Sequence, residues 1–488
     1  MHTTNPNRDA WQALLQDLDE RLNRALAMGG PEKIAKQHQR GRLTARERIA
    51  ALCDSDSFSE YGALAGGNHP GGDAPLAGDG LVAGTARIEG RAAVVVAEDF
   101  TVKGGSIGHP NAAKRARMVR LASEQKLPLV LMLDGAGERA GNQGERYPNA
   151  PGDLQLVADL QGQVPVVTLV LGTSAGHGAL TGMFADLIVM SEGSALFTAG
   201  PPLVKAAMGV DVSPEQLGGA RLHSELSGVV HNVGASEHDC LAMARYFLAI
   251  ARPDCAAAAD GPGTGLRSVD DLLDIIPTGA NQPYDVGQVL HRIVDADSLF
   301  ELQPHYGGSL VVALARVGGC GCLLLANQPT RQAGAITVEA ATKATHFINV
   351  ASNLGLPLIS LIDNPGVLPG TESESAGVLR AAAQMFAAQR HFRGRKIVVT
   401  LRKAFGFGSS VMGMNPWDRQ VISLALPSAN LGGVPAIGGA AAAKASETEA
   451  LAMAQAQSAA WIPADTMAFD RVIDPRELRN ELISALQL

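Results

Sequence analysis

The chain is poor in aromatic residues, at 4% of its 488 residues, and only 18% of it is charged. Its 40 Lys and Arg against 48 Asp and Glu leave a formal net charge of −8. It lacks the basic excess that grips a polyanion, which excludes nucleic acid as an expected main partner. Local basic residues can still hold a phosphorylated small molecule. Long apolar runs are missing too: Val164–Leu171 and Leu356–Ile362 fall well short of the ~20 residues a membrane helix needs, so no membrane partner is expected. The N-terminal MHTTNPNRDAWQALLQDLDERL mixes charges through an amphipathic pattern, without the basic start and apolar stretch of an export signal. The five cysteines (Cys53, Cys240, Cys255, Cys320, Cys322) are few and mostly isolated, which predicts reduced thiols in a cytoplasm. Cys320-Gly-Cys322 opens an apolar run with no Cys or His pair at zinc spacing to complete it, so no metal site is expected. P-loop, HExxH and CxxC pairs are absent.

What is present is an apolar fraction of 46% and enough length for two or more globular units. The chain repeats itself. Asn111-Ala-Ala-Lys114 precedes Leu127-Pro-Leu-Val130 and the run ending in Asp134, and Ala340-Ala-Thr-Lys343 precedes Leu356-Pro-Leu-Ile359 and the run ending in Asp363. Lys343, Pro357, Asp363 and Gly334 each follow Lys114, Pro128, Asp134 and Gly105 by 229 residues, and Gly406 follows Gly176 by one more. Asp297-Ser298 answers Asp56-Ser57, with the Gly/Pro-rich Gly66–Gly80 absorbing the difference in spacing. Such self-similarity predicts two copies of one fold.

Within each copy a β-branched run (Ala92–Ala97; Cys322–Ala326) leads to a glycine loop and a helix-period segment carrying the lysine. A short buried strand ending in Asp, a helix, a further strand (Val164–Leu171; Lys396–Leu401) and a glycine-rich turn into helix follow. Near-continuous apolar strands alternating with helices predict parallel βα units covered on both faces, an α/β fold. The expected organisation is a helical arm over residues 1–35 that packs on a partner, a first domain over 36–255, a linker over 256–285 and a second domain over 286–488. The turn-rich Ala257–Gly265 marks the join.

Two sites carry the chemistry: Gly172-Thr-Ser-Ala-Gly-His-Gly-Ala179 and Arg402-Lys-Ala-Phe-Gly-Phe-Gly-Ser409. Each follows a buried strand and should open a helix. Glycine there lets backbone approach a ligand, and the first helical turn offers unpaired N–H donors. Such donors suit an oxygen on which negative charge develops, as on a thioester whose neighbouring carbon loses its proton. An isolated turn of this kind would only permit tight packing, but two at matching places in a duplication point to function. Gly172-Thr-Ser174-Ala-Gly176 also fits the G-x-S-x-G elbow of serine hydrolases, with His177, His223 or His231 as base, although the second copy has alanine in place of serine. His177 reads either as a ligand-facing imidazole or as a turn residue whose backbone alone matters. Phe407, at the matching place, reads as core filling or as a wall narrowing a pocket. Lys103, Lys114, Arg115 and Arg117 form a basic cluster for phosphates or a solvated helix face. Asp134 and Asp363 read as loop caps rather than bases.

On these pieces the sequence resembles the β subunit, the carboxyltransferase component, of biotin-dependent acyl-CoA carboxylases of the propionyl-CoA and methylcrotonyl-CoA type. The similarity runs from Gly41 to Glu477 through GRLTARERIAAL (41–52), EDFTVKGGSIG (98–108), LFTAGPPLVK (196–205), EQLGGARLHSELSGVVH (215–231), NQPTRQAGAIT (327–337), LIDNPGVLPGTESE (361–374), RKAFGFG (402–408) and RVIDPRE (471–477). The resemblance implies a tandem duplication of two crotonase-like (ClpP/crotonase) domains, each supplying one oxyanion hole of backbone N–H groups. It puts the acyl-CoA thioester at Gly176, His177 and Gly178, and the ureido oxygen of carboxybiotin at Gly406, Phe407 and Gly408. Carried over in the same way, the substrate-binding residues are Lys103, Gly104, Gly105, Ser106, Arg117, Gly135, Ala136 and Gly137, with Asn364, Pro365 and Gly366 in the second copy.

The implied reaction moves a carboxyl group from carboxybiotin to the α-carbon (or vinylogous carbon) of an acyl-CoA through an enolate. Biotin arrives on a partner, a biotin carboxyl carrier or biotin carboxylase α subunit, because this chain has no biotinyl-lysine motif and no ATP-binding glycine loop. A homo-oligomer, a hexamer built as a trimer of dimers, is implied as well. The alternatives are a CoA-ester decarboxylase or transcarboxylase subunit of malonyl- or methylmalonyl-CoA type, a serine hydrolase using Ser174, and a non-catalytic scaffold. The family usually places Gly-Gly-Ala at each turn, where this chain has Gly-His-Gly and Gly-Phe-Gly. The stretch between Gly439 and Asp474 is also shorter than usual.

Overall fold

The computed structural model describes residues 6–66, 75–139, 152–251, 263–415, 418–433, 444–446, 448, 449, 452 and 459–488. The chain divides into two compact units, Met1–Ala249 and Ile250–Leu488. Each is built on a mixed sheet of eight strands.

In the first unit the strands are β1 (Ser59–Glu60), β2 (Leu81–Ile88), β3 (Arg91–Glu98), β4 (Leu129–Gly135), β5 (Val166–Ala175), β6 (Leu187–Ser191), β7 (Ala195–Phe197) and β8 (Asn232–Gly234). Their order is β1-β2-β3-β4-β5-β6-β8, with β7 beside the end of β5. The β1/β2 and β2/β3 pairs are antiparallel, and every pair from β3 onward is parallel. The second unit repeats this with β9 (Phe300–Leu302), β10 (Leu310–Val317), β11 (Cys320–Asn327), β12 (Leu358–Asn364), β13 (Lys396–Phe405), β14 (Gln420–Ala425), β15 (Asn430–Gly432) and β16 (Arg471–Val472). The order β16-β14-β13-β12-β11-β10-β9, with β15 beside β13, is the first order read from the other end. The duplication extends to turn chemistry. Asp56 and Asp297 both take left-handed φ, at 56° and 55°, and Ser57 and Ser298 donate to the carbonyls of Asp54 and Asp295.

The central strands β4, β12 and β13 are buried along their whole length, and β5 along all but Thr173 and Ala175, as covered parallel sheets require. Leu129, Leu131, Val166 and Val170 pack with Met118, Val119 and Val157 of flanking helices in the first core. Ile359, Leu361, Ile397 and Val399 pack with Val289, Leu290, Leu482 and Leu486 in the second.

Three sequence expectations need correction. The stretch read as a linker contributes Val269, Leu272, Ile276 and Tyr284 to the second core. Arg402 and Arg479 hold it there by donating to the carbonyls of Gly279 and Gln282 and to those of Gly263 and Thr264. Residues 252–262, with most of the turn-rich Ala257–Gly265 segment, lie outside the described residues, as does much of the stretch between Gly439 and Asp474. Secondly, Cys53, Cys240 and Cys322 are free and buried, but Cys320 is disulfide-bonded, against the expectation of reduced thiols throughout. Thirdly, the strands outrun their predicted ends: Gly172–Ala175 and Arg402–Phe405 continue β5 and β13 instead of starting the turns. The short strands β7 and β15 explain this, since they pair with Thr173–Ala175 and Lys403–Phe405 and extend the sheet there.

The N-terminal segment forms helices Pro6–Leu26 and Pro31–Gln39, and the first leaves Trp11, Leu14, Leu15 and Leu18 exposed. Among the described residues no helix is long and apolar enough to cross a membrane.

Both copies bury a lysine on the helix after the first glycine loop. Burial pushes Lys114 and Lys343 down from 10.5 to about 8, and their ammonium groups donate to backbone carbonyls, of Leu81 and Gly78 and of Gln303. Between about pH 8 and 10.5 the unfolded chain therefore holds protons that the folded chain has released, and these lysines make stability rise with pH across that window. Urea midpoints compared at pH 7.5 and 9.5 should show a more favourable change for the wild type than for a Lys114→Met, Lys343→Met double variant. Equal changes would mean that the two ammonium groups are not desolvated.

Candidate active site

Strands β5 and β13 each pass without a loop into a short helix, Gly176–Gly182 and Gly406–Val411. The first helical residue has φ of 57° in both copies, a left-handed value that favours glycine. The register between β4 and β5 slips between Leu133 and Gly135, and that between β12 and β13 slips between Ile362 and Asn364. The two slips occupy the same place in each copy, just before the turns. Beyond each slip the strands pair again, Gly135 with Ser174 and Asn364 with Ala404.

The other glycine loops close on these turns. Ala136 N donates to Gly104 O at 2.9 Å and Ile107 N to Gly137 O at 2.8 Å, stitching the loop after β3 to the loop after β4. In the second copy Ile336 N donates to Gly366 O at 3.1 Å. A Cβ on Gly137 would lie 2.6 Å from Ala175 O, and one on Gly408 would lie 2.5 Å from Gly366 Cα and 2.6 Å from Asn364 Oδ1. Among the expected site residues, Gly104, Gly105, Ser106, Gly135, Ala136 and Gly137 thus gather beside Gly176–Gly178, and Asn364, Pro365 and Gly366 beside Gly406–Gly408. The N–H groups of each first turn have no partners within their helix and are available to an anion.

The strand ends are anchored by buried carboxylates, so neither Asp is available as a base. Asp134 accepts from Arg48 at 3.0 Å and Gln37 at 2.9 Å, and Arg48 also binds Glu237 at 2.7 Å. Asp363 accepts from Arg402 Nε at 2.8 Å and pairs with Lys403 at 3.0 Å.

The basic cluster does not survive as read. Lys114 and Arg115 are buried, with Arg115 donating to Glu98 at 2.6 Å and to Asn111 at 2.7 Å. Only Lys103 and Arg117 are exposed and open to a phosphate. The hydrolase reading fails on geometry. Ser174 lies within β5, fully buried, and its Oγ has no hydrogen-bond partner among the described residues. His177 binds Asp153, His223 binds Leu196 O, and His231 accepts from Ile188 N. Phe407 is 54% exposed, so it is not core filling. Its ring stands at the rim of the second turn, where it can form a wall.

Two residues at the first turn escaped sequence reading. Glu98, 2% exposed, accepts from Asp134 N at 2.7 Å and from Arg115, and its carboxylate lies 2.9 Å from where a Cβ on Gly178 would stand. Burial pushes Glu98 up, partly offset by Arg115. Asp153, at the start of helix Asp153–Leu160, accepts from His177 Nε2 at 2.7 Å. Burial works to raise Asp153, but the His177 hydrogen bond and the nearby Arg115 hold it below the ordinary carboxylate range. The lone signal for Glu98 was its place in register with Asn327, which likewise accepts from the N–H of its strand-end Asp, Asp363. Nothing in the sequence pattern marked Asp153.

A family model described as "Carboxyl transferase domain" matches residues 36–488. The chain is 33% identical over 402 residues to the methylmalonyl-CoA decarboxylase subunit alpha of Veillonella parvula, covering 81% of this chain and 79% of the relative. It is 33% identical over 511 residues to the biotin-dependent acetyl-/propionyl-coenzyme A carboxylase beta5 subunit of Mycobacterium tuberculosis (strain CDC 1551 / Oshkosh), covering 97% and 92%. Among solved structures it is similar to the transcarboxylase 12S hexamer with methylmalonyl-coenzyme A and methylmalonic acid bound. There the TM-score is 0.90 at 30% identity, over 98% of this chain and 95% of that one. The expected fold, a tandem pair of crotonase-like units, agrees with that match.

Gly408→Ala should displace the second turn, because Gly366 backbone occupies the place of the new methyl group. The loss of one aligned N–H donor predicts a fall in turnover of roughly 10²–10³-fold, with the folded state retained by circular dichroism. Gly193→Ala, at φ 74° with nothing within 4 Å, should cost only about 1–2 kcal/mol of stability and leave turnover alone. Equal turnover in the two variants would exclude the second turn from the chemistry.

Proposed function

Because the chain belongs to the carboxyl transferase domain family, we propose that it moves a carboxyl group between carboxybiotin on a partner protein and the α-carbon of an acyl-CoA. The observation that carries this reading is the pair of glycine turns, one per unit, with matching φ and with N–H groups free of helical partners. A reaction in which charge leaves one oxygen and appears on another needs two such cradles, and preorganised donors lower the barrier most where charge develops. Carboxybiotin supplies the activated carboxyl group when its carrier docks.

The turn Gly176–Gly178 is assigned to the thioester oxygen, where N–H groups stabilise the enolate formed as the α-proton leaves. Lys103 and Arg117, exposed near the first glycine loop, are assigned to CoA phosphates. The turn Gly406–Gly408 is assigned to the ureido oxygen. Gly366 and Asn364 press against it from behind, so the backbone is held rigid without a side chain filling the cradle. That close approach fits a planar amide-like group that must lie flat on the turn.

Assembly into a homo-hexamer is part of the proposal. It is supported by the likeness to the transcarboxylase 12S hexamer and by the exposed apolar face of helix Pro6–Leu26, which a partner subunit would cover. A cytoplasmic place of action accords with a CoA-ester substrate.

The reverse direction, as in a decarboxylase or transcarboxylase, is favoured by the similarity to the Veillonella decarboxylase subunit, and one pair of cradles serves either direction equally. Purified protein incubated with carboxybiotin, or with free biotin as a surrogate, and a panel of acyl-CoAs should yield a carboxylated CoA ester. With malonyl- or methylmalonyl-CoA and biotin it should run backward. A fluorophosphonate should leave Ser174 unlabelled. Labelling of Ser174, or no transfer with any ester in either direction, would remove the reading.

A further inference from the structure

The first turn differs from the second by one ionisable side chain and its buried support. His177 stands between Gly176 and Gly178, with 28% of its side chain exposed, and its Nε2 meets Asp153 Oδ1 at 2.7 Å. Asp153 is 4% exposed, and its second oxygen is buried with no hydrogen-bond partner among the described residues. An ionised carboxylate can only accept, so Nε2 carries the hydrogen, and in the neutral ring the lone pair is left on Nδ1. Among the described residues no partner bonds Nδ1. Behind this pair lie Arg115, whose charge acts on Asp153, and Glu98, which binds Arg115 at 2.6 Å and lies under Gly178. The matching positions of the second unit carry none of these groups. Phe407, Asn327 and Ala344 stand where His177, Glu98 and Arg115 are, and helix Val378–Arg390 contains no Asp or Glu.

We propose that His177, oriented by Asp153, is the group that takes the α-proton of the acyl-CoA at the first turn. This rests on the functional reading above and adds to it a protein base that the paired backbone cradles do not themselves require. The Cα–H bond breaks as Nδ1 binds the proton. Its electron pair becomes the enolate double bond, and the charge passes to the thioester oxygen facing the Gly176–Gly178 amides. The enolate then attacks the carboxyl carbon of carboxybiotin. The carbon–nitrogen bond to the ureido group breaks, and the imidazolium returns its proton to the ureido nitrogen that leaves. Atoms and charge balance, and His177 ends as it began. A buried carboxylate behind the ring steadies the imidazolium between the two transfers. The spacing agrees: the imidazole belongs to the residue next to the amides that hold the oxygen, two bonds from the carbon that ionises.

The discriminating experiment supplies propionyl-CoA in D₂O without carboxybiotin and reads α-deuterium by mass spectrometry. Binding of propionyl-CoA and carboxyl transfer are measured in parallel. The wild type should exchange, since the partly exposed ring can trade its proton with solvent. His177→Gln should exchange and transfer roughly 10²–10⁴-fold more slowly while binding propionyl-CoA within a few-fold of the wild type. Asp153→Asn should bind normally and fall between the two, the pattern of a residue that positions another. Unchanged exchange and transfer in His177→Gln, or a wild type that transfers carboxyl without exchanging, would overturn the role of the histidine and leave the functional reading standing. A wild type that binds no acyl-CoA and transfers nothing would overturn both.

Discussion

Each unit depends on a buried carboxylate at the end of its second parallel strand. Asp134 and Asp363 are fully buried, and isolated charges there would cost several kcal/mol each. Arginine answers both, Arg48 in one copy and Arg402 in the other, from different parts of the chain. Arg48 comes from the helix Ala45–Leu52 and brings Glu237 with it, whereas Arg402 lies on β13 itself. Either way, the strand end is fixed relative to its neighbour at the point where the register slips. A turn that presents its N–H groups in a fixed geometry cannot hang on a loosely held strand, and these ion pairs hold the strand end beside each turn.

Duplication supplied two equal scaffolds, and substitution made them unequal. The backbone of the two turns is matched, down to a left-handed glycine at Gly176 and Gly406. The side chains around them are not. One turn has an imidazole braced by Asp153 and the buried Glu98–Arg115 pair against Gly178, and the other has an exposed phenyl ring and the neutral Asn364 against Gly408. This division suits a reaction in which a carbon acid is deprotonated at one cradle while a neutral ring system is held at the other. A phenyl face offers flat apolar contact without a competing proton.

The glycine turns, the alternation of strand and helix and the duplication were legible in advance, whereas the strand order, with its antiparallel pairs β1/β2 and β2/β3, was not. Apolar runs of strand length, glycine at the strand–helix junction and a repeated 229-residue interval are all carried by neighbours in sequence. The strand ends were misplaced by four residues since they continue only where β7 and β15 lie beside them. The linker was misread for a similar reason: carbonyls of 263–265 and 277–282 are bound by Arg479 and Arg402, far along the chain. Turn-rich composition describes how a segment bends and says nothing of what pins it.

By itself the sequence determined that this protein is a duplicated α/β chain with two matched glycine turns and the motifs of a carboxyl transferase. Those features follow from residue type and spacing. Tertiary structure decided what each charge is for. Four basic residues in one short stretch looked alike, yet Lys114 and Arg115 point inward to carbonyls and a buried carboxylate, leaving Lys103 and Arg117 to meet solvent. His177 was ambiguous until Asp153, 24 residues earlier, proved to be its partner. Burial and charge pairing depend on distances in space, and only the folded chain sets those.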